Sequence, residues 1–145
     1  MPSGPSPGLT DHDYARLAEL RHALRSFLHW SSDEARRAGV TPAQHQLLLT
    51  IRAAPHPDGP TVGEVAQALI IRHHSAVELA DRAQEAGLIT RHRDPEQQSQ
   101  VRLHLTARGG QMLDELSQTH VRELRQLAPA MRALDSLSDP GPARH

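Results

Sequence analysis

Arg72, His73, His74, Ser75 and Ala76 follow one another in IIRHHSAVELADRAQ, where a helical pattern begins. A guanidinium or an imidazole can donate to the N7 and O6 acceptors of guanine. A serine hydroxyl can reach a base edge or a phosphate, and an alanine methyl can pack on that of thymine. In the first turn of a helix, where free N–H groups also favour an anion, this set suits duplex DNA. The alternative is that His73 and Ser75 merely cap the helix. One turn on, Glu78 either accepts from a cytosine amino group or is solvated, and Arg82 reads as a structural ion-pair partner. The ribbon predicted downstream carries Arg91, Arg93 and Arg102 against Asp94 and Glu96. Arg93, near its tip, is the phosphate candidate. Arg91 is either a second one or a solvent-facing strand residue. Gln97, Gln98 and Ser99 form the tip itself.

Eleven histidines raise a second chemistry, metal ligation. The candidate pairs are His73 with His74, His92 with His104 across the ribbon, and His22 with His29. Neighbouring side chains on a helix diverge by about 100°. A closed site needs three or four ligands, and no H-x-x-x-H or H-E-x-x-H spacing occurs. Metal-responsive regulation is therefore an alternative with no metal site assigned. The chain has no cysteine, which excludes disulfides, thiolate metal sites and thiol redox chemistry. It also lacks a Gly-rich phosphate loop and a G-x-S-x-G elbow. The expectation is a protein that is not an enzyme and needs no cofactor.

The elements that must position these residues follow from periodicity and punctuation. Leu17, Leu20, Leu24, Phe27 and Leu28 recur at three- and four-residue steps, giving a helix from Thr10 to about Ala38, stopped at Gly39. Thr41-Pro42-Ala43-Gln44 is a helix start with a capping box, and Leu47, Leu48 and Ile51 bury that helix. PHPDGP, from Pro55 to Pro60, is a loop. Thr61-Val62-Gly63-Glu64 reads as a second capping box before a short helix carrying Val65, Ala66 and Leu69. After a break near Ile70 to Arg72, a helix runs from about His73 to Ala86, with Val77 and Ala80 facing the core, and Gly87 ends it. Leu88–Arg93 and Gln100–Leu105 read as two strands. In the second, Val101, Leu103 and Leu105 alternate with Arg102 and His104, as in a half-buried strand. Thr106 caps a last long helix, and Pro129 is expected to start a new short helix through Leu137.

Helix, turn, helix and a two-stranded ribbon together make a winged helix-turn-helix. The fold class is mainly α (α+β), with long helices at both ends. Residues 1–9 are expected to be a disordered tail and 139–145 a loose one. The terminal helices occupy 10–40 and 106–138, and the winged DNA-binding region 41–105. One domain suits 145 residues. With only Tyr14, Phe27 and Trp30 aromatic, the core must be Leu, Val, Ala and Ile. A net charge of −1 argues against bulk affinity for nucleic acid and leaves the placement of charge to decide. No run of about 18 apolar residues occurs, and MPSGPSPGLTDHD has neither the basic nor the apolar part of a secretory signal. The expected location is cytoplasmic.

The order of elements, with ADRAQEAGLITRHRD (Ala80 to Asp94) and VRLHLTARG (Val101 to Gly109), resembles the MarR family of bacterial winged-helix regulators. The resemblance covers roughly Leu17 to Leu137. It implies a transcriptional regulator, a repressor in the leading reading. It also implies a homodimer whose first and last helices interlock, so that two winged modules straddle a palindromic operator. A small molecule, often aromatic, would bind between the dimerisation and DNA-binding parts and modulate DNA binding. His22, Arg25, His29 and Trp30 on the first helix, with His45 on the second, are the candidates for lining that crevice; otherwise Trp30 and Phe27 are plain core. A winged-helix protein-interaction module without DNA binding is the other alternative. The family's wing tip usually carries an Asp-x-Arg pattern, whereas Gln97, Gln98 and Ser99 stand here. Glutamine hydrogen-bonds to DNA but releases no counterion. Gln98→Arg should therefore tighten DNA binding in a gel shift and steepen the log–log salt dependence by about one per added phosphate contact. An unchanged slope would show that the tip does not reach the duplex.

Overall fold

The computed structural model describes residues 8–138. The elements in chain order are α1 (Asp11–Ala38), α2 (Pro42–Ala53), α3 (Val62–Leu69), α4 (His73–Glu85), β1 (Ile89–Arg93), β2 (Val101–Leu105) and α5 (Ala107–Arg132), then a 3-10 turn over Ala133–Ser136. The chain divides into a central unit, Ser31–Thr119, and a terminal unit of residues 1–30 and 120–145. Apart from Gly8 and Leu9, the tails expected at 1–9 and 139–145 lie outside the described residues.

The central unit holds the apolar core. Leu47, Leu48, Val65, Ala76, Ala80, Ala83, Leu88, Ile89 and Leu103 are essentially inaccessible, and all are aliphatic. Local chemistry fixes where its helices begin. Thr41 Oγ1 accepts from the Gln44 N–H while the Gln44 side chain accepts from the Thr41 N–H, a complete capping box. At α3 only half of the expected box forms. Thr61 Oγ1 accepts from the Glu64 N–H, but the Glu64 carboxylate lies 3.8 Å from Arg102 instead.

β1 and β2 pair antiparallel, with Ile89 opposite Leu105 and Arg93 opposite Val101. An isolated bridge between Thr61 and Arg102 adds a third line of backbone to the ribbon, and the Leu103 N–H donates to the Pro60 carbonyl. This second cover changes the burial expected for β2. Arg102 does not alternate outward; it is buried beside Leu103, because the loop before α3 roofs the face that solvent was expected to wet.

In the terminal unit Thr10 Oγ1 accepts from the Asp13 N–H and Asp13 accepts in return from the Thr10 N–H, closing the start of α1. Asp13 also accepts from the Ser138 N–H at 3.3 Å. Hydrogen bonds from Thr10 and Ser138 hold its carboxyl down at about 2. Pro129 does not start a new helix. It sits within α5, three residues before the helix ends, where a missing N–H forfeits one bond near an already fraying end.

Three helix ends share one geometry. Paired bonds run back into α1 from Gly39 and Val40, into α3 from Ile70 and Ile71, and into α4 from Gly87 and Leu88, one residue past its cap Ala86. This is the Schellman arrangement, with its left-handed residue first. Two of the three ends use glycine, at φ 95° and φ 75°. The third places Ile70, a β-branched residue, at φ 56°. Ile70 is 92% exposed, so little packing compensates the steric cost. Ile70→Gly should raise folding stability by about 1 kcal/mol in urea unfolding; a lower midpoint would show that the isoleucine is held by contacts outweighing its strain.

Candidate nucleic-acid interface

The start of α4 is exposed over Arg72–His74. Arg72 is the N-cap residue, and its side chain makes no capping hydrogen bond. Arg72, His73 and His74 are exposed, and none of the described residues gives any of them a hydrogen bond or ion pair. His73 and Ser75 do not cap the helix. Ser75 is half-buried in a cleft that it shares with Glu78 and Arg82 of α4, with Gln44 of α2 and with Thr41, the cap of α2. Ala76 departs from the expectation. It is wholly inaccessible in the aliphatic core, because it falls on the same helical face as Ala80 and Ala83, so it cannot pack on a thymine methyl. Val77, expected inside, is only partly buried.

Arg82, expected as an ion-pair partner, and Arg91, expected at a phosphate or facing solvent, both differ from expectation. Arg82 is exposed and has no ion pair among the described residues. Arg91 supplies the ion pair instead. Its Nη2 lies 2.6 Å from Asp81 Oδ1, and its Nη1 donates to Gln84 Oε1 at 3.0 Å. Arg91 is thus neither solvent-facing nor free for a phosphate; it ties β1 to α4. The sequence offers no local cue for this, because Asp81 and Arg91 meet only once the strand folds back along the helix.

At the wing, Arg93 is exposed and its Nη1 donates to the Gln98 carbonyl at 3.1 Å. Gln97, Gln98 and Ser99 are exposed at the tip. The tip is organised from its base by Asp94. One carboxylate oxygen accepts from the Glu96 and Gln97 N–H groups, and the other from Arg102 Nε at 2.7 Å. Arg102 Nη1 reaches on to the Gly59 carbonyl at 2.8 Å. The pair is buried on both sides, and its role was not predicted. Its one signal in the sequence is an acid and an arginine flanking the turn. Gly59 has φ 80°, and a Cβ there would lie within 2.0 Å of the Leu103 carbonyl oxygen, so only glycine lets the loop approach β2.

Of the histidine pairs, His92 and His104 stack with ring centroids 4.6 Å apart. His92 Nε2 is shared with Thr90 Oγ1, and His104 Nε2 donates to the Asp58 carbonyl at 2.6 Å. No set of three or more potential ligands comes together among the described residues. The five crevice candidates divide between the two units. His22, Arg25 and His29 are exposed in the terminal unit, where Trp30 packs 4.8 Å from the His120 ring and 6.0 Å from Phe27. His45 is buried in α2 of the central unit.

The helix pair α3 and α4 followed by a braced two-stranded ribbon defines a winged helix-turn-helix protein. Residues 38–98 match the model of the MarR family. A solved MarR family transcription regulator is 25% identical, with a TM-score of 0.70 over 82% of this chain and 77% of the other. AbsC, a MarR family regulator from Streptomyces coelicolor, is 17% identical, with a TM-score of 0.68 over 84% of this chain and 82% of its own. A MarR family protein from Bacillus stearothermophilus is 22% identical, with a TM-score of 0.68 over 88% and 94%. No curated protein matches the sequence. The family-model match over residues 38–98 and the likeness to these solved structures support a winged-helix regulator of the MarR type. No described helix is long and apolar enough to cross a membrane.

The Arg102 and Glu96 hydrogen bonds hold the Asp94 carboxyl down at about 2, against an ordinary 3.8. A carboxyl lowered in this way adds stability above its unfolded value and loses that contribution as pH falls through about 2. Asp94→Asn should lower the urea midpoint near neutrality and shrink the further loss between about pH 5 and about pH 2. An acid loss equal to that of the parent would show that Asp94 does not brace the wing.

Proposed function

We propose that this chain is a DNA-binding transcription regulator, a repressor, that acts as a homodimer on a palindromic operator and is modulated by a small, often aromatic, effector. The observation that carries this reading is the exposed Arg72-His73-His74 step at the start of α4, whose cationic and donor side chains are unengaged by described residues. In a winged helix this turn is the one presented to base edges. Ser75 can join it from the adjoining cleft. Arg93, Gln97, Gln98 and Ser99 serve as wing contacts to the sugar–phosphate backbone, while Arg91 acts through positioning.

The dimer is supported by apolar surface in the terminal unit, where Leu28, Val121, Leu124 and Met131 are exposed. Large exposed apolar residues gathered on terminal helices call for a partner, and a second copy of the chain gives the two-fold symmetry that a palindrome requires. The effector reading keeps His22, Arg25, His29, Trp30 and His45 as its candidates. The setting for this function is the cytoplasm, where the DNA lies.

A gel shift with the DNA upstream of the chain's own gene tests the proposal. Arg72→Ala and His74→Ala should each weaken specific binding by about 5- to 100-fold, with unchanged thermal unfolding. Unchanged affinity in both variants would remove α4 as the reading element.

A further inference from the structure

The end of α2, the loop after it and the base of β2 enclose an open cleft of about 350 Å³ within the central unit. Its wall is apolar at Ile51, Pro57 and Leu105 and carries donors at Arg52 and His56, with His104 beside them. Arg52 is exposed and engages no described residue. Asp58 orients both imidazoles through its backbone. Its N–H donates to His56 Nδ1 at 3.1 Å, which puts the His56 proton on Nε2. Its carbonyl accepts from His104 Nε2 at 2.6 Å. The Asp58 side chain is not part of the cleft wall. A guanidinium and an oriented imidazole N–H beside apolar surface match a carboxylate borne on a compact apolar body.

We propose that this cleft binds a small organic carboxylate and that occupancy is felt by the wing. The carboxylate accepts from Arg52 and His56 Nε2, and the body lies on Ile51, Pro57 and Leu105. The loop that forms the wall is also the loop that fixes β2. Asp58, Gly59 and Pro60 offer their carbonyls in turn to His104, Arg102 and the Leu103 N–H. At Gly59 there is no slack against Leu103. A ligand that draws on the loop therefore shifts β2 with it, and the carboxylate and DNA become coupled through one strand. Only this coupling rests on the DNA-binding reading; the binding itself does not.

Cyclohexanecarboxylate is the probe, and its neutral amide the control. Histidine ring NMR signals of His56 and His104 should move on titration with the carboxylate and not with the amide. Arg52→Met should weaken that binding by about tenfold or more, as expected for loss of a charge-assisted hydrogen bond. In gel shifts the carboxylate should lower DNA affinity of the parent and leave Arg52→Met unaffected. Equal responses to acid and amide, or none to either, would overturn the site. Carboxylate binding without any change in DNA affinity would overturn the coupling. If Arg52→Met weakens DNA binding without the carboxylate, the arginine belongs to the duplex and the proposal falls. If the parent binds the carboxylate but no DNA, the regulator reading fails and the cleft assignment stands.

Discussion

Arg102 donates from Nε to Asp94 and from Nη1 to the Gly59 carbonyl, so one guanidinium joins the wing turn, β2 and the loop that leads into α3. It is enclosed, with its side chain only 9% exposed. A charge so far from water persists only where its donors are met, and here a carboxylate and a carbonyl meet two of them. The same carboxylate accepts two further N–H groups from the tip. A short ribbon is marginal by itself. Here its shape is set by a polar centre at its root rather than by side chains along its length.

This arrangement resolves the mismatch between a near-neutral chain and a nucleic-acid reading. Of the cations on α4 and the ribbon, Arg91 and Arg102 are engaged in holding β1 and β2 in place. Arg72, His73 and His74 are engaged by none of the described residues, and they sit together. Placement rather than sum decides what a surface can attract.

Sequence and structure agree where the determinant is local. The Thr41 capping box, the glycine stops at 39 and 87 and the antiparallel ribbon need only neighbours a few residues apart, and each is legible from residue types. The family resemblance rests on the same local stretches. What could not be read depends on a second segment arriving. Ala76 reads as a surface methyl until α4 is seen to bury one face of small residues. Arg102 reads as the polar half of an alternating strand until Pro60 and Thr61 lie over it. Arg91 rather than Arg82 makes the structural ion pair because a helix and a strand meet at Asp81. Ile70 shows the opposite limit, since the local signal there disfavours the conformation adopted and the turn holds it.

Every phenylalanine, tyrosine and tryptophan of the chain precedes Ser31, and the unit from Ser31 to Thr119 has none. The single indole lies against Phe27 and His120 in the terminal unit. Intrinsic fluorescence and near-ultraviolet dichroism therefore report on the terminal helices, while the winged module is optically silent. Melting followed by emission follows one half of the molecule, and far-ultraviolet dichroism is needed to see the other.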